Sequence, residues 1–349
     1  MRAIDTLAVI AREAKASDIH ITEGWPLLMR VDGRLVPMNV PMSDEQVRAM
    51  VLDLLNDAQR ADLAQGIDAD FALVTADRNR MRVNVFQQQG KVAATLRLLN
   101  DTIPTLAQLG LPETLTKLAE EPRGLILVTG PTGSGKSTTL AAMIDHINST
   151  RPDHIITIED PIEYVYENKQ SLIHQREVGR DVTSFAAALR SALREDPDVI
   201  LVGEMRDYET ISAAVTAAET GHLVMSTLHT IGAAQTIDRI IDVCPPGAQN
   251  QIRGQLAGVL RGVITQQLLP LATGRGRCAA TEIMIGTDAI SNLIRESKTY
   301  QINSMLQSGA AMGMHTLNGD LSRLVMERRI TPEAALRCST DKSDLRQYL

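Results

Sequence analysis

Apolar residues near the start of the chain recur at helical spacing. A surface helix buries every third or fourth residue on one face, so this spacing predicts an amphipathic helix. The residues that carry the pattern are Ile4, Leu7, Ala8 and Ala11. Further on, Ser43 and Gln46 form a capping-box pair, which predicts that a second helix begins there and runs towards Leu55.

Between and after these helices the chain contains short strand-like runs. Successive side chains of a strand point to opposite faces, so apolar and polar residues alternate. Residues 29–31 and 35–36 flank Asp32-Gly33, a dipeptide that favours a hairpin turn. Further strands are predicted at residues 18–21, 71–73, 81–86 and 92–98. The pattern predicts a small α+β domain over residues 1–100, with no motif for chemistry of its own.

The pattern changes after a segment that carries an Asn, an Asp and a Pro between Asn100 and Pro104. Such residues are typical of connections, and we assign residues 101–105 as a linker. In residues 106–349 strand-like runs first alternate with helical ones, which predicts an α/β fold with a parallel sheet covered on both faces. The strands are predicted at residues 125–129, 155–158, 199–202 and 223–226, and the helices at 138–147, 185–193 and 210–218. After about Ala233 the chain is predicted to be mostly helical.

Composition excludes several functional classes. The chain has 349 residues, of which 44% are hydrophobic and 22% charged, as expected for a globular protein of two domains. Its net charge of −7 disfavours a protein that mainly binds nucleic acid, and its 3 Phe, 5 Tyr and 1 Trp leave few side chains for stacking on bases. The residues Cys244, Cys278 and Cys338 lie far apart, so no CxxC metal knuckle or disulfide framework is expected.

No apolar run approaches the roughly 18 residues that a membrane span needs. Asp5, Arg12 and Glu13 interrupt the apolar region that a signal peptide would require, so we expect the first helix to stay in the mature protein. These observations predict a reduced, cytosolic protein. Any action at a membrane is expected to pass through a partner.

One segment carries a specific signature for phosphate binding. It fits G-x-x-x-x-G-K-[ST] between a predicted strand and a predicted helix, and it consists of Gly130, Pro131, Thr132, Gly133, Ser134, Gly135, Lys136 and Ser137. Glycines let the backbone N–H groups surround phosphate oxygens, and the helix N-terminus adds a positive dipole end. Lys136 can reach the β- and γ-phosphates, and Ser137 can ligate Mg²⁺. The segment therefore predicts binding of ATP and Mg²⁺, with Thr138 as a further contact.

Acidic residues follow two of the predicted strands. Glu204 comes after residues 199–202, at the position where P-loop ATPases place a carboxylate that contacts Mg²⁺ or polarises the attacking water. Glu159, Asp160 and Glu163 surround Pro161 after another strand. Clustered carboxylates repel one another unless a cation lies among them, so this cluster implies Mg²⁺ or nearby arginines. A solvated charged loop is the alternative.

Two histidines flank the strand predicted at residues 223–226. His229 follows it in a polar turn, where it could sense a γ-phosphate, and His222 precedes it. A structural role is an equal alternative for each of them.

In this order the four segments resemble the Walker A motif, Asp box, atypical Walker B motif and His box of the secretion-ATPase superfamily, also called the GspE/PilT family. The match is close to the PilT type, the type IV pilus retraction ATPases, and it covers nearly the whole chain. Residues 16–20 (ASDIH) and 30–33 (RVDG) are similar to the N-terminal signature of the family, and residues 195–198 and 203–207 to its Walker B surroundings. Residues 289–296 (AISNLIRE) resemble the AIRNLIRE motif tied to retraction, with Ser291 in place of its arginine.

The resemblance implies a PAS-like N-terminal domain joined to a RecA-like ATPase domain with a helical C-terminal part. Such proteins form homohexameric rings and hold ATP between the two domains. The implied activity is ATP hydrolysis that rotates the domains against each other, turns an inner-membrane pilus platform protein and withdraws pilin subunits. The expected location is the cytoplasm, at the inner face of the membrane. A paralogous pilus ATPase is a further implied partner.

The same resemblance implies roles for individual residues. Glu204 is expected to be the principal catalytic carboxylate and to bind Mg²⁺ through water, with Glu163 and His229 as further catalytic participants. Which of the two glutamates orients the water stays open. Arg82 and Arg97 lie on predicted strands of the N-terminal domain and are expected to act as arginine fingers at the γ-phosphate. An exposed strand face is their structural alternative.

Four other functions stay open at this point. A pilus extension or type II secretion ATPase is disfavoured because its four-cysteine zinc insertion has no counterpart in this chain. A PilU-like accessory ATPase, which would need another ATPase for full output, is a further alternative, because the departure at Ser291 leaves the exact paralogue open. A nucleic-acid motor on a RecA-like core is disfavoured by the net charge. A nucleotide-binding scaffold without turnover is disfavoured by the intact Lys136, Glu204 and His229.

Overall fold

The computed structural model describes residues 2–31, 33–76, 80–99 and 102–348. The chain forms two compact units, Met1–Thr102 with Pro161–Val165 and Ile103–Asp160 with Tyr166–Leu349. The division after residue 102 falls inside the predicted linker. Residues 100 and 101, like Asp32 of the predicted hairpin turn, lie outside the described residues. No sequence pattern separates Pro161–Val165 from its neighbours.

The first unit contains an antiparallel sheet with helices on one face. Its strands run in the order β3-β2-β1-β6-β5-β4. The elements are α1 (Ala3–Glu13), β1 (Asp18–Thr22), β2 (Leu28–Val31), β3 (Arg34–Pro37), α2 (Asp44–Asp53), α3 (Asp57–Ala64), β4 (Ala69–Val74), β5 (Arg80–Gln88) and β6 (Lys91–Leu98). The capping box of α2 is confirmed, because Ser43 Oγ accepts from the Gln46 amide at 3.3 Å and Gln46 Oε1 from the Ser43 amide at 2.8 Å. The helix α3 is an element that the sequence reasoning missed.

Alternation along these strands separates an apolar face from a polar face. Ile19 and Ile21 of β1 and Val83 of β5 are fully buried in a core shared with α1 and α2. The residues between them in sequence point to the other face. The predicted α+β unit therefore has one face packed by helices and one face that carries charge.

The second unit contains a sheet of seven strands in the order β13-β12-β7-β11-β10-β8-β9. Its strands are β7 (Gly124–Thr129), β8 (His154–Glu159), β9 (Leu172–Glu177), β10 (Val199–Val202), β11 (Leu223–Leu228), β12 (Leu260–Pro270) and β13 (Arg277–Ile285). The strands from β12 to β9 pair in parallel, whereas β13 is antiparallel to β12. Every residue of β7, β10 and β11 is buried, as expected where both faces of a sheet are covered.

The helices of this unit surround the sheet and continue beyond it. They are α4 (Thr114–Ala119), α5 (Lys136–Thr150), α6 (Phe185–Ala192), α7 (Tyr208–Glu219), α8 (Ala233–Asp242), α9 (Pro246–Val259), α10 (Asp288–Arg295), α11 (Ile302–Ser308), α12 (Leu317–Met326), α13 (Pro332–Cys338) and α14 (Lys342–Leu345). Short 3₁₀ turns lie at Thr299–Gln301 and Ala310–Met312. One apolar core joins strand residues such as Leu127 and Ile200 to α6–α10.

The prediction of a mostly helical chain after Ala233 is wrong for β12 and β13. Both strands are long, and β12 pairs directly with β7, the strand before the glycine-rich segment. The β-branched residues Val263, Ile264 and Thr265 favour a strand, but a buried apolar run has no period that separates it from a buried helix. The sheet is therefore mixed rather than wholly parallel.

Candidate functional site

The glycine-rich segment connects the end of β7 to the start of α5. Gly130, Gly133 and Gly135 have φ angles of 137°, 78° and 90°, which residues with a side chain rarely adopt. A Cβ added at Gly130 would also collide with the main-chain carbonyl oxygen of Gln266. Both constraints require glycine at this position and produce the tight curl that the sequence motif predicts.

Lys136 folds back over the loop. Its side chain is 8% exposed, and Nζ donates to the carbonyl oxygens of Gly130 at 2.9 Å and Pro131 at 3.0 Å. The ammonium group thus lies over the concave side of the loop, where phosphate oxygens are expected. Ser137 is exposed and Thr138 half-buried at the first turn of α5, so both are accessible to a ligand.

Strand β12 supports the loop from the side. The buried Gln266 amide donates from Nε2 to the Ser134 carbonyl at 2.8 Å and accepts the Thr139 hydroxyl at 2.7 Å. Thr265, the residue before Gln266 on β12, also contacts the neighbouring strand β7, because its hydroxyl lies 2.9 Å from the Thr129 hydroxyl. Sequence reasoning missed Thr265 and Gln266 because it predicts a mostly helical chain after about Ala233. The run of β-branched residues before Gln266 was the available signal.

Glu204 and His229 come together beyond the carboxyl ends of β10 and β11. Glu204 Oε2 lies 3.7 Å from His229 Nε2, a contact that becomes an ion pair when the histidine is protonated. Because β11 lies between β7 and β10 and all three are parallel, Glu204, His229 and the P-loop follow strand ends at one edge of the sheet. Two strand spacings separate β7 from β10, about 10 Å, which leaves room for a phosphate and a water.

Arg206 also binds Glu204, with Nε 2.7 Å from Oε2. Glu204, Arg206, His229 and Arg239 line a cavity of about 350 Å³. The sequence reasoning placed Arg206 in a family signature but assigned it no role. The contact identifies it as a cation that balances the charge of the proposed catalytic carboxylate.

The three acidic residues around Pro161, namely Glu159, Asp160 and Glu163, have different surroundings. Glu159 Oε1 accepts the Thr157 hydroxyl at 2.7 Å and the Gln175 amide at 3.2 Å, so neighbouring side chains already satisfy it. Asp160 lines a cavity of about 690 Å³ together with Glu204. Glu163 is half-buried in the segment that belongs to the first unit.

The contacts of His222 are those of a residue that stabilises a turn. Its Nδ1 lies 2.8 Å from the Ala217 carbonyl oxygen at the end of α7, and 3.2 Å from the Thr220 hydroxyl. These contacts close the turn that leads into β11. They favour the structural alternative for this histidine.

Arg82 and Arg97 are paired directly across β5 and β6, on the polar face of the first sheet. Asp18 of β1 is opposite Arg97, and its Oδ1 lies 3.0 Å from Arg97 Nε. Arg30 of β2 is 3.8 Å from the second Asp18 oxygen. A row of three arginines with one carboxylate thus crosses four strands, although the sequence reasoning singled out only two of its members.

Asp18 is the charge that organises this row. It is 6% exposed, and burial alone would raise the pKa of its carboxyl. Hydrogen bonds from Ser17 and Arg97 outweigh the burial and hold the pKa of Asp18 below its ordinary value.

A third cavity adjoins the start of α5. It has a volume of about 450 Å³ and is lined by Leu109, Thr138, Leu268, Arg277 and Arg329 among others. Apolar walls with a few polar groups are typical of small-molecule sites. Gly135 and Thr138 also line this cavity, so it lies beside the P-loop.

The residues that the structure describes contain no group of three or more His, Cys, Asp or Glu side chains able to hold a metal ion. Mg²⁺ is usually held by one or two protein oxygens together with substrate phosphates. The exposed Ser137 hydroxyl and the Glu204 carboxylate fit that arrangement. Among the same described residues, none of the helices is long and apolar enough to span a membrane.

The AISNLIRE segment forms α10 and the residue after it. Thr287 caps this helix, and Ile290 and Ile294 pack into the core. Ser291 is half-buried, whereas Asn292 and Arg295 are exposed. The departure from the family motif therefore lies between the packed face and the exposed face of the helix.

Comparisons with known proteins agree with this arrangement. The family model described as type II/IV secretion system protein matches residues 1–347. The type IV pilus retraction ATPase PilT of Pseudomonas aeruginosa is 50% identical over 335 residues, covering 95% of this chain and 97% of that protein. A twitching motility protein of Neisseria gonorrhoeae is 52% identical over 330 residues, covering 93% and 88%.

A solved structure gives the same result. The crystal structure of the pilus retraction motor PilT with bound ADP superposes with a TM-score of 0.92 at 47% identity, covering 99% of each chain. The prediction of an α/β P-loop ATPase fold, preceded by an N-terminal domain and followed by a helical C-terminal part, is confirmed.

Proposed function

The chain belongs to the family of type II/IV secretion system proteins, and we propose that it hydrolyses ATP to power retraction of a type IV pilus. The observation that carries the proposal is the placement of Lys136, Glu204 and His229 at one edge of the sheet, beyond the ends of β7, β10 and β11. Near full-length similarity to the PilT proteins supports the choice of pilus retraction among the activities of the family.

ATP binds with its phosphates in the P-loop. The backbone amides from Gly130 to Ser137 donate to phosphate oxygens, and Lys136 exchanges its contacts with the Gly130 and Pro131 carbonyls for the β- and γ-phosphates. The nucleoside enters the adjoining cavity beside Thr138. Ser137 and, through water, Glu204 would hold Mg²⁺, which would neutralise charge on the phosphates.

Glu204 acts as the principal catalytic carboxylate. With His229 at 3.7 Å it is positioned to orient a water molecule or accept its proton, while the histidine senses the γ-phosphate. Glu163 is the second polar participant, and Glu159 and Asp160 are proposed as nucleotide contacts.

Arg82 and Arg97 serve as arginine fingers. A guanidinium stabilises the charge that develops on the transferred phosphate. Asp18 keeps Arg97 in one orientation through the 3.0 Å contact, so the residue is partly preorganised for this task.

The assembly that we propose is a homohexamer at the cytoplasmic face of the inner membrane. It acts on a platform protein of the pilus machine, and a paralogous ATPase assists it. Residues 1–100 and 106–349, joined by residues 101–105, are the two bodies whose relative rotation does the work. The reaction involves no nucleic acid.

Deletion of the gene tests the proposal, with labelled pili imaged in live cells. We expect surplus pili that fail to retract, and recovery of retraction when wild-type protein is restored. Lys136→Ala and Glu204→Gln are expected not to restore it, because they remove phosphate binding and water activation. Glu219→Gln, a surface carboxylate at the end of α7, is the matched control and is expected to restore it.

Other outcomes identify other members of the family. Cells without pili would point to an extension ATPase and contradict the proposal. Pili that still retract, but with less force, would point to an accessory retraction ATPase. The departure at Ser291 from the motif tied to retraction keeps that second candidate open.

A further inference from the structure

Glu282 occupies an unusual position at the start of a helix. It lies on β13, and Oε1 accepts the main-chain amide of Ala233, the first residue of α8, at 2.8 Å. The carboxylate therefore caps the N-terminus of α8, where free N–H groups and the helix dipole favour negative charge.

Glu282 also belongs to a row of side chains that crosses the sheet to the P-loop strand. Thr129, the residue before Gly130, pairs with Thr265 of β12, and Thr265 pairs with Glu282 of β13. Paired residues point to the same face of a sheet. The hydroxyls of Thr129 and Thr265 lie 2.9 Å apart, so the first step of this row is a direct contact.

The helix α8 in turn fixes the segment that carries His229. The Thr236 hydroxyl of α8 donates to the Gly232 carbonyl at 2.7 Å and lies 2.7 Å from the Thr230 hydroxyl. Both bonds tie the turn after His229 to the first turn of α8. A displacement of the α8 N-terminus would therefore move His229 relative to Glu204.

Burial makes the charge on Glu282 sensitive to these contacts. Desolvation raises the pKa of the Glu282 carboxyl, and the amides of Ala233 and Leu317 act in the opposite direction. Loss of the Ala233 amide would leave a partly buried carboxylate with fewer donors, which is costly. The Glu282 carboxylate and the first turn of α8 are therefore held together by a mutual requirement.

We propose that Glu282 is a positioning residue that sets His229 against Glu204 by capping α8. The proposal rests on the ATPase function above. It assigns no contact between Glu282 and the nucleotide.

The test uses Glu282→Gln in the full-length protein. Gln has no charge to interact with the dipole of α8, and one of its two terminal groups donates instead of accepting, so the cap of α8 is weakened. We expect kcat for ATP to fall about tenfold or more with KM changed by less than about twofold. We also expect faster hydrogen exchange at the amides of residues 229–236. Glu282→Asp, whose side chain is one methylene shorter and does not reach the Ala233 amide, should have the same effect and replaces the Gln variant if that variant does not fold.

Asp320→Asn is the matched control. Asp320 is a buried carboxylate that accepts the amide of Thr281, the residue before Glu282, at 2.8 Å, and it contacts Arg323 of its own helix α12. The substitution disturbs the same strand, β13, together with α12. We expect faster exchange in α12 with kcat and the exchange of residues 229–236 unchanged.

A double variant separates positioning from general stability. If Glu282 acts through His229, then Glu282→Gln should lower kcat by less than about twofold in a His229→Ala background. An equal loss in both backgrounds, or wild-type kcat in Glu282→Gln, would overturn the proposal. If the wild-type protein does not hydrolyse ATP, the proposed function fails, and hydrogen exchange then tests the positioning role by itself. Exchange at residues 229–236 that is the same in Glu282→Gln as in wild type would reject that role.

Discussion

At the scale of single residues, Asp18 balances the positive charge of the arginines on the polar face of the first sheet. Its neighbours Arg97 and Arg30 would repel each other and Arg82 if the carboxylate were absent. The exposed guanidinium of Arg97 gains little from the ion pair alone, because solvent screens it. The buried Asp18 carboxylate contributes more to stability, because its charged form would be costly to bury without the hydrogen bonds that it accepts.

The lowered pKa of Asp18 predicts a dependence of stability on pH. A carboxyl whose pKa is lower in the folded state stabilises the protein above its unfolded pKa of about 3.9, and this contribution is lost as the pH falls through the folded value. We therefore expect Asp18→Asn to lower the free energy of unfolding most above about pH 5, with the difference from wild type shrinking in more acidic solution. Urea titrations from pH 3 to pH 7 measure it.

Asp53→Asn is the control for this titration. Asp53 is an exposed carboxylate at the end of α2, and a solvated charge is expected to change stability by less than about 0.5 kcal/mol. A constant difference between Asp18→Asn and wild type over the whole pH range would contradict the assignment of Asp18 as the charged partner of Arg97.

At the scale of elements, the site depends on the contact between a loop and a strand that are far apart in sequence. The bond from Gln266 Nε2 to the Ser134 carbonyl spans 132 residues. The carbonyl of Gln266 also occupies the space that a side chain at Gly130 would need. Strand β12 therefore shapes the P-loop from outside, in addition to the glycines within it.

This contact predicts the effect of Gly130→Ala. The new Cβ would force the loop away from β12 and misdirect amides that bind phosphate. Loss of one hydrogen bond to a charged group lowers nucleotide affinity by about tenfold to a hundredfold. Titration with a fluorescent ADP analogue measures the change.

Gly221→Ala is the matched control. Gly221 also has a positive φ, 109°, but a Cβ there meets no atom within 4 Å, and it precedes β11 at the opposite edge of the sheet. We expect both variants to lose about 1–2 kcal/mol of stability from the backbone conformation, and only Gly130→Ala to lose affinity. Equal affinities in the two variants would show that β12 does not shape the loop.

At the scale of the whole molecule, charge separates this motor from the nucleic-acid motors that share its type of core. The net charge of −7 opposes the counterion release that drives binding to a phosphate backbone. We expect single-stranded DNA, duplex DNA and RNA each to leave the ATPase rate unchanged at low and at physiological salt. Stimulation that weakens with salt would favour a nucleic-acid motor instead.

Much of the site could be predicted because its chemistry is local in sequence. The P-loop needs glycines, a lysine and a hydroxyl at fixed spacing between a strand and a helix, and all of these occur within Gly130–Ser137. Glu204 and His229 follow buried strands, and parallel strands place their carboxyl ends at one edge of the sheet. The approximate positions of most strands and of the helix start at Ser43 also follow from local patterns.

The tertiary structure alone decided what surrounds these groups. It placed β12 and β13 in the sheet, where periodicity had indicated helices, since burial on both faces removes the alternation that identifies a strand. It gave Gln266, Glu282 and Asp18 their partners, because each binds a group that is distant in sequence or on another element. The chain by itself specifies which groups can do the chemistry, whereas packing between distant segments determines how firmly and in which direction those groups are held.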